Sequence, residues 1–245
     1  MNPAVSEISA FFPCYNDEKS IARMVTTVHD TLSRLGIDHD ITVVNDASTD
    51  GSLAVLRDLE ARMPELRVVD HPTNRGYGGA LLSGLTAARR EWVFYTDGDA
   101  QYDPAQIERL IEHAAHNIDV VQGYKIRRSD PLKRKIIGRV YHHTVAMLFR
   151  LRLRDVDCDF RLMRRSALDE ITLENQSGVI CVELMRKLQD ANARIVEVPV
   201  SHYPRPYGRS QFFQTRRVAR SLYDLVVLWL TVVVIPTVRR AKRHS

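Results

Sequence analysis

Two kinds of hydrophobic pattern alternate along the first half of the chain. Short runs rich in β-branched and aromatic residues predict strands over 8–12, 41–44, 66–70, 92–96 and 120–122. Apolar residues at three- and four-residue spacing predict helices over 19–35, 52–62 and 79–88, and a further helix that begins at Pro104. Pro13 is expected to end the first strand. The alternation of strand and helix predicts an α/β fold, with a mostly parallel sheet and helices on both faces.

The fourth predicted strand ends in a group of polar side chains. Trp92–Tyr95 is followed by Asp97-Gly98-Asp99, and Gln101 comes two residues later. Open α/β sheets bind their ligands beyond the carboxyl ends of the strands. Two carboxylates and an amide offer hard oxygen ligands, which suit Mg²⁺ or Mn²⁺ and leave coordination positions for substrate phosphates. The other interpretation is an ordinary turn, because Asp-Gly is common turn chemistry.

Three more loops that follow predicted strands carry related chemistry. Residues 13–18 supply an aromatic ring and carboxylates, 45–51 supply more acids, and 74–80 supply Arg75 within a glycine-rich stretch. Topology places these loops at the same sheet edge as the paired aspartates. Carboxylates can bind base and ribose groups, while Arg75 and backbone N–H groups can face a diphosphate. The glycines have a second interpretation, which is close packing of helix on strand.

Composition narrows the class of protein. The 245 residues suffice for one large domain or a domain with an appendage, and 44% hydrophobic with 27% charged residues is ordinary for a globular protein. The formal net charge of +5 indicates an anionic partner. Three scattered cysteines form neither a metal-ligand spacing nor a disulfide framework, which favours a reducing compartment. Because a strand-like run begins at Ile8, no signal peptide is expected, and a cytosolic location is favoured.

In these motifs the chain resembles the family 2 glycosyltransferases, which have the Rossmann-like GT-A fold. The resemblance rests on Pro13-x-Tyr15-Asn16, Asn45-Asp46-x-Ser48-Thr49-Asp50-Gly51, Asn74-x-Gly76-x-Gly78 and Asp97-x-Asp99-x-Gln101. It implies a nucleotide-sugar donor, a divalent ion (Mg²⁺ or Mn²⁺) that bridges its diphosphate, and inversion at the anomeric carbon. The base contacts that it implies are Pro13, Tyr15, Asp17 and Asp46. Asp97, Asp99 and Gln101 would face the metal and diphosphate, and Arg75 and Gly76 complete the donor-binding set.

The second half of the chain is similar to one group within that family. The segment that contains Asp157 and Asp159 resembles the Asp-x-x-x-Gly-Phe-Arg motif of the polyprenyl-phosphate glycosyltransferases, the dolichol-phosphate-mannose-synthase-like group. Asp159 stands in place of the glycine, and either aspartate is a candidate for the acid of the motif, so both are catalytic candidates. Glu197–Val200 and Arg205-x-x-Gly208-Arg209-Ser210 resemble the closing motif of this group. The resemblance implies a polyprenyl phosphate acceptor.

The segment 125–154 is strongly basic. It contains ten Lys and Arg residues against a single acid, Asp130, with apolar residues between them at roughly helical spacing. This pattern predicts a basic amphipathic helix at a membrane surface. The alternative is a solvated helix that packs on the domain, and no motif supports nucleic-acid binding. The candidate ligands for an acceptor phosphate are Arg127, Arg128 and Arg139, together with Arg205 and Arg209.

The C-terminal region has an apolar run of its own. Residues 225–238 are fourteen uncharged positions, fewer than the roughly 20 that a bilayer-spanning helix needs. A helix that lies in the membrane interface or forms an oligomer contact is therefore favoured over a span. We divide the chain into a glycosyltransferase domain, 1–210, which includes the basic segment, and a C-terminal membrane-associated or oligomerisation helix with a basic tail, 211–245. The expected location is the cytoplasmic side of the membrane, peripheral or C-terminally anchored.

Three functions follow from these patterns. The leading hypothesis is an inverting, metal-dependent transfer of a hexose from a UDP- or GDP-linked sugar to a polyprenyl phosphate. A phosphate oxygen is already anionic near neutral pH, so this acceptor needs little general-base help. A soluble or protein-bound hydroxyl acceptor would need a base, for which Asp157, Asp159 and Glu183 are candidates. The third hypothesis is a non-catalytic, membrane-associated scaffold with the same fold.

Overall fold

One seven-stranded sheet forms the centre of the protein. The structure, a computed structural model, describes residues 5–128, 132–207 and 215–235, with only the backbone described for 127–128, 132–137, 139 and 215–219. The strands are β1 (Glu7–Cys14), β2 (Asp38–Asn45), β3 (Leu66–Asp70), β4 (Trp92–Thr96), β5 (Val120–Arg128), β6 (Phe160–Arg164) and β7 (Ile195–His202). Their order in the sheet is β3-β2-β1-β4-β6-β5-β7.

The sheet is parallel except around one strand. β1 pairs in parallel with β2 and β4, β2 with β3, and β5 with β7, whereas β6 is antiparallel to both β4 and β5. The predicted α/β class with a mostly parallel sheet is confirmed. Strands β6 and β7 were not predicted. In β6 the hydrophobic pattern is interrupted because two of its five residues are arginines, Arg161 and Arg164.

Eight α-helices are present in the part of the chain that the structure describes. They are α1 (Ile21–Arg34), α2 (Ser52–Glu60), α3 (Gly76–Ala87), α4 (Ile107–His113), α5 (Leu132–Leu148), α6 (Arg165–Asp169), α7 (Ile180–Asp190) and α8 (Thr215–Trp229). A short 3₁₀ turn, Pro104–Gln106, leads into α4, and a π-helical turn, Leu230–Val234, follows α8.

The helices cover both faces of the sheet and create two hydrophobic cores. Side chains alternate along a strand, so neighbouring residues of β1 enter different cores. Phe12 packs with the buried face of α1 in the first core, which also includes Leu56 of α2 and Leu110 of α4. Phe11 packs in the second core with residues of α3, α5 and α7, and its ring stacks on Tyr95 with a centroid separation of 5.2 Å.

The expectation that Pro13 ends the first strand was wrong. β1 continues through Pro13 to Cys14, and Pro13 is in register with Val44 of β2. Pairing with β4 stops earlier, at Phe11 and Tyr95. Beyond Phe11, β1 has no partner residue in β4. Pro13, which lacks an N–H, therefore breaks no ladder hydrogen bond between β1 and β4.

The basic segment is partly strand and partly packed helix. Residues 125–128 extend β5, and the helix α5 begins only at Leu132. Val145 and Phe149 are fully buried in the second core, and the indole N–H of Trp229 donates to the Leu148 carbonyl at 3.0 Å. Helix α5 is thus held between the domain and α8, while Val140 and Met147 on it remain exposed.

Within the described ranges, no helix combines the length and the hydropathy that a membrane span requires. Leu225, Leu228 and Val233, in α8 and the turn after it, are buried against the second core.

Helix α3 lies very close to β1, which generates a stability prediction. A Cβ added at Gly84 would lie 2.1 Å from Cδ2 of Phe11. We expect Gly84→Ala to lower the free energy of unfolding by about 1–3 kcal/mol, because the ring or the helix must shift. Urea denaturation followed by circular dichroism measures this loss. Thr86→Ala, at an exposed position of the same helix, is the control and should change stability by less than about 0.5 kcal/mol. Equal effects of the two variants would contradict the close contact.

Candidate functional site

Loops from the carboxyl ends of β1, β2 and β4 meet at one edge of the sheet. The backbone N–H of Asn16 donates to Ser48 Oγ at 3.0 Å, and its side-chain carbonyl accepts from the Thr49 N–H at 2.7 Å. Ser20 Oγ donates to the carbonyl of Gly98 at 2.9 Å. These hydrogen bonds join residues far apart in sequence. The predicted convergence of the first, second and fourth loops is therefore observed.

Asp99 is held by a cation from the far end of the chain. Its Oδ2 accepts from Nη2 and Nε of Arg205, at 2.6 and 3.1 Å, and its Oδ1 accepts from the N–H of Gln101 at 3.0 Å. Asp99 is only 6% exposed. Burial lowers the pKa of Arg205, but the charge of Asp99 opposes this effect, and the pKa is raised above its ordinary value. A guanidinium thus occupies one oxygen of this carboxylate.

The segment that carries Arg205 also contacts Gln101. The backbone N–H of Tyr203 donates to the Gln101 carbonyl at 2.8 Å, and Gln101 Nε2 donates to the Tyr203 carbonyl at 3.3 Å. The neighbouring residues Tyr102 and His202 form an isolated antiparallel bridge. The chain after β7 is therefore tied to the carboxylate loop by main-chain as well as side-chain contacts.

Asp97 is only partly buried, and its carboxylate faces a tyrosine. Tyr77 donates its hydroxyl to Asp97 Oδ1 at 2.9 Å. Burial, followed by the charges of Asp159 and Asp99, raises the pKa of Asp97 well above its ordinary value, and the hydrogen bond from Tyr77 opposes that shift. The surroundings of Asp97 therefore disfavour the carboxylate form, which a metal needs, and the hydrogen bond from Tyr77 favours it.

The first loop places a third acid at the same edge. Asp17 Oδ2 accepts from the N–H of Tyr15 at 3.2 Å, and the backbone N–H of Asp17 donates to Ser52 Oγ at 3.0 Å. Burial, followed by the charge of Asp99, raises the pKa of Asp17 from 3.8 to about 6. Asp17 is thus close enough to the paired aspartates to be influenced by them, and Tyr15 lies beside it.

Asp46 holds the glycine-rich loop in place. Its Oδ1 accepts from His71 Nδ1 at 2.7 Å and from the N–H of Arg75 at 2.8 Å, and its Oδ2 accepts from the N–H of Gly76 at 2.9 Å. Its main-chain carbonyl accepts from Asn74 Nδ2 at 3.0 Å. Both carboxylate oxygens of Asp46 therefore have hydrogen-bond partners within the protein. The N–H groups of Arg75 and Gly76 are used in these bonds, although backbone N–H groups of this loop were expected to face a diphosphate.

The side chain of Arg75 faces a cavity behind helix α3. This cavity of about 380 Å³ is also lined by Arg67 and Arg89, and the site carboxylates are not part of its lining. A Cβ added at Gly79 would lie 2.5 Å from Cβ of Arg75, and one at Gly78 would lie 2.4 Å from the main-chain carbon of Gln176. At these positions the glycines are required by close packing, the second interpretation of this loop.

The two catalytic candidates of the second half differ in environment. Asp159 Oδ1 accepts from Cys181 Sγ at 3.1 Å and from the Tyr95 hydroxyl at 3.2 Å, and it lies 3.4 Å from Nη1 of the fully buried Arg161. Burial raises the pKa of Asp159 to about 6, and the charge of Lys125 opposes that shift. The main-chain carbonyl of Asp157 accepts from Lys125 Nζ at 2.6 Å.

Sequence reasoning missed Asp155. With Asp159 in the glycine position of Asp-x-x-x-Gly-Phe-Arg, the spacing of the motif places its acid at residue 155 rather than at 157 or 159. Asp155 is 3% exposed, and its Oδ2 lies 3.9 Å from Lys125 Nζ. Counting back from Phe160-Arg161 would have identified it.

The remaining candidates occupy other positions. Pro13 lies at the end of β1, where its carbonyl oxygen is 3.1 Å from the site of a Cβ built on Gly98. Arg127 and Arg128 end β5, and Arg139 lies in α5; only their backbones are described. Arg209 lies outside the described residues.

Glu183, the third candidate for a base, has a structural role in this arrangement. Its carboxylate accepts from the N–H groups of Glu174 and Asn175, at 3.1 and 2.9 Å, and from Lys187 Nζ at 2.7 Å. Its oxygens therefore fix the loop before α7.

The donor set at this edge fits a divalent cation that shares its coordination with a ligand. Asp97, Asp99 and Gln101 offer carboxylate and amide oxygens, the ligands that Mg²⁺ and Mn²⁺ prefer. No group of three or more His, Cys, Asp or Glu side chains in the described chain is arranged to hold a metal ion. The guanidinium of Arg205 is the charged partner of Asp99 in this structure. A cation here would need further oxygens from a bound substrate.

The fold and the acidic sheet edge define an α/β enzyme class with its site beyond the strand ends. The profile of glycosyl transferase family 2 matches residues 9–172. The chain therefore belongs to this family and is a glycosyltransferase. The resemblance recognised in the motifs is confirmed.

Its relatives include two named transferases. The undecaprenyl-phosphate 4-deoxy-4-formamido-L-arabinose transferase of Aeromonas hydrophila is 27% identical over 94% of this chain and 70% of its own length. The enzyme of the same name from Erwinia tasmaniensis is 28% identical over 93% of this chain and 69% of its own. Among solved structures, glucosyl-3-phosphoglycerate synthase of Mycobacterium tuberculosis, crystallised with Mn²⁺, UDP and glucosyl-3-phosphoglycerate, has a TM-score of 0.68 at 19% identity. That match covers 92% of this chain and 79% of the synthase, and it shows that the two share a fold.

The raised pKa of Asp17 generates a pH prediction. The folded protein holds this proton up to about pH 6, whereas the unfolded chain releases it near pH 3.8. Stability from this group is therefore present below pH 4 and is lost as pH rises to about 6, a change on the order of 2–3 kcal/mol at most. Relative to Asp17→Asn, the metal-free wild type should lose unfolding free energy across that window.

Urea denaturation in EDTA at several pH values between 4 and 7 makes the comparison. Asp30→Asn, which changes an exposed acid of α1, is the matched control and should follow the wild type. A constant difference between wild type and Asp17→Asn at every pH would contradict the raised pKa.

Proposed function

We propose that this protein transfers a sugar from a nucleotide sugar to a polyprenyl phosphate, with inversion and with the help of Mg²⁺ or Mn²⁺. The observation that carries this proposal is the set of Asp97, Asp99 and Arg205 at the carboxyl edge of a family 2 glycosyltransferase. The names of the curated relatives support a polyprenyl phosphate acceptor, since those enzymes act on undecaprenyl phosphate. The neighbouring synthase structures that contain UDP with Mn²⁺ or Mg²⁺ support the donor and the cation.

In the proposed reaction the protein positions two anionic partners. The cation, when bound by Asp97, Asp99 and Gln101, neutralises charge on the departing nucleotide diphosphate. Pro13, Tyr15 and Asp17 contact the base of the donor. Asp46 holds the neighbouring loop in place through the N–H groups of Arg75 and Gly76. The acceptor phosphate supplies its own nucleophilic oxygen, so holding it in place is the main remaining task.

Arginines of the second half hold the acceptor phosphate in this proposal. Arg205 is the residue of this set whose side chain the structure describes, and its guanidinium pairs with Asp99. Arg127, Arg128 and Arg139 lie in β5 and α5, which follow one another in the chain, and Arg209 follows Arg205 in sequence. A guanidinium can bind a phosphate through two parallel hydrogen bonds.

One alternative acceptor remains. A hydroxyl acceptor is favoured by two observations: the neighbouring synthase has been crystallised with phosphoglyceric acid and UDP-glucose, and the charge of Asp159, a candidate base, acts on Asp97. The third hypothesis, a non-catalytic scaffold with the same fold, disagrees with membership of a transferase family. The charged side chains at the sheet edge speak against it, because buried carboxylates are costly without a role or a partner.

The decisive assay measures sugar transfer to lipid. Purified protein is incubated with polyprenyl phosphate, Mg²⁺ or Mn²⁺, and radiolabelled UDP-glucose or GDP-mannose in separate reactions. We expect label in the organic phase from one donor, and its loss when EDTA is added. Metal-dependent release of nucleotide without lipid label would indicate a hydroxyl acceptor. No turnover of either donor would contradict the proposal for these two nucleotide sugars.

Two variants test whether sugar transfer takes place at this edge of the sheet. Asp99→Ala should lower transfer by about 100-fold or more, because a cation contributes several kcal/mol of charge stabilisation. The fold should persist, since Arg205 would gain access to water rather than be left in a core. Asp58→Ala removes an exposed acid of α2 and should leave transfer unchanged. A well-folded Asp99→Ala protein with full activity would refute the metal assignment.

We further propose that the protein contacts the cytoplasmic face of a membrane through α5 and α8. Val140 and Met147 of α5 and Leu222, Tyr223 and Val226 of α8 are more than half exposed. This contact would be peripheral or would involve the C-terminal part of residues 211–245, with residues 1–210 as the transferase domain. The same apolar side chains offer the alternative of a homo-oligomer contact.

Vesicle sedimentation tests this contact. Wild-type protein should sediment with vesicles that contain anionic lipid, and replacing Met147 and Val226 with Ser should release it, because apolar area and charge act together at a membrane surface. Replacing the exposed Thr26 and Thr86 with Ser is the control and should have no effect. A dimer in gel filtration that the Met147 and Val226 changes abolish, without vesicle binding, would favour the oligomer.

A further inference from the structure

Helix α3 presents one tyrosine to the acidic edge from a fixed position. Tyr77 follows Gly76, which has a φ of +76° and whose N–H is held by Asp46. On the other side, Gly78 lies against the main chain of Gln176 so closely that even a methyl group would collide. The start of α3 is therefore clamped between two parts of the protein, and Tyr77 has little freedom to move.

The hydroxyl of Tyr77 contacts Asp97, one of the two aspartates that we propose as metal ligands. It donates to Asp97 Oδ1 at 2.9 Å. In the described part of the chain, no hydrogen bond to the second oxygen of Asp97 is found. One oxygen of the carboxylate is thus fixed by the protein, and the other is left for a ligand.

A second acid, Asp159, influences Asp97, since its charge contributes to the raised pKa of Asp97. Asp159 is held by Cys181, Tyr95 and Arg161 through its Oδ1. Like charges in a poorly solvated region repel one another strongly. Asp97 therefore needs a hydrogen-bond donor if its carboxylate is to keep one orientation beside Asp159.

We propose that Tyr77 is a positioning residue for Asp97, holding this carboxylate in the orientation that binds the cation against the repulsion of Asp159. The inference rests on the proposed function, since it requires a divalent cation at this edge. Groups that hydrogen-bond to metal ligands commonly change metal affinity by about 10–100-fold when they are removed. Tyr77 does not contact the cation or the sugar in this proposal. It acts through Asp97, and its hydroxyl also lies close enough to Asp159 to favour the charged form of that acid.

The test measures cation affinity rather than turnover. Tyr77→Phe keeps the ring and removes the hydroxyl. Electron paramagnetic resonance of free Mn²⁺, titrated with protein in the presence of UDP, should show an affinity about 10–100-fold weaker than that of wild type. Tyr102→Phe removes another buried tyrosine hydroxyl, which donates to Cys158 at 3.5 Å, and should leave the affinity unchanged. Unchanged Mn²⁺ affinity in a folded Tyr77→Phe protein would overturn the proposal.

A second variant tests the part played by Asp159. Asp159→Asn keeps the shape and the hydrogen-bond acceptor but removes the negative charge. If Tyr77 works against that charge, Tyr77→Phe should weaken Mn²⁺ binding less in the Asp159→Asn protein than in wild type. An equal or larger loss in that background would overturn the role assigned to Asp159. The melting temperature of each variant identifies losses due to unfolding.

The cation site itself is checked separately. Asp99→Asn should abolish Mn²⁺ binding whatever Tyr77 does. If wild type binds Mn²⁺ and Asp99→Asn does not, the proposed function stands and the Tyr77 comparison decides this inference alone. If wild type with UDP binds no Mn²⁺, both the metal assignment and the role of Tyr77 are wrong.

Discussion

Four acidic side chains share one poorly solvated edge of the sheet, and the site is arranged around their mutual repulsion. Burial raises the pKa values of Asp17, Asp97 and Asp159, and neighbouring aspartates raise those of Asp17 and Asp97 further. Asp99 is neutralised by the guanidinium of Arg205. Acids gathered in this way are costly unless a cation compensates them. An edge of this kind is suited to a divalent ion that arrives with a nucleotide diphosphate.

The scaffold around this edge supplies rigidity rather than chemistry. Asp46 uses both carboxylate oxygens to hold the loop before α3, and Gly84 lets that helix lie directly on the ring of Phe11. Glu183 fixes the loop before α7, and Gln176 of that loop packs on Gly78. Precise placement of charged groups requires such support, because small displacements weaken electrostatic contacts to a substrate. Much of the polar chemistry seen in the sequence is thus used inside the protein.

The sequence predicted the parts of the site that depend on local pattern and on topology. Parallel strands bring their carboxyl ends to one edge, so the convergence of the loops around Asp17 and Asp97 followed from their positions after strands. The pairing of Asp99 with Arg205 joins residues 106 positions apart, and no local pattern reports such a contact. Strand β6 was missed because Arg161, its second residue, is a charged residue that becomes fully buried only through its tertiary partners. Local patterns therefore locate the edge of the sheet where the site lies, but not the tertiary contacts made by residues distant in sequence.

In the proposed function, Asp97 and Asp99 bind a divalent cation together with the diphosphate of the donor. Anomalous diffraction from crystals grown with Mn²⁺ and UDP tests it most directly. We expect one strong manganese peak beside the side chains of Asp97 and Asp99, bridged to the UDP phosphates, with Arg205 no longer paired to Asp99. UDP bound at the edge without a manganese peak there, or a peak that leaves the Arg205–Asp99 pair intact, would contradict it.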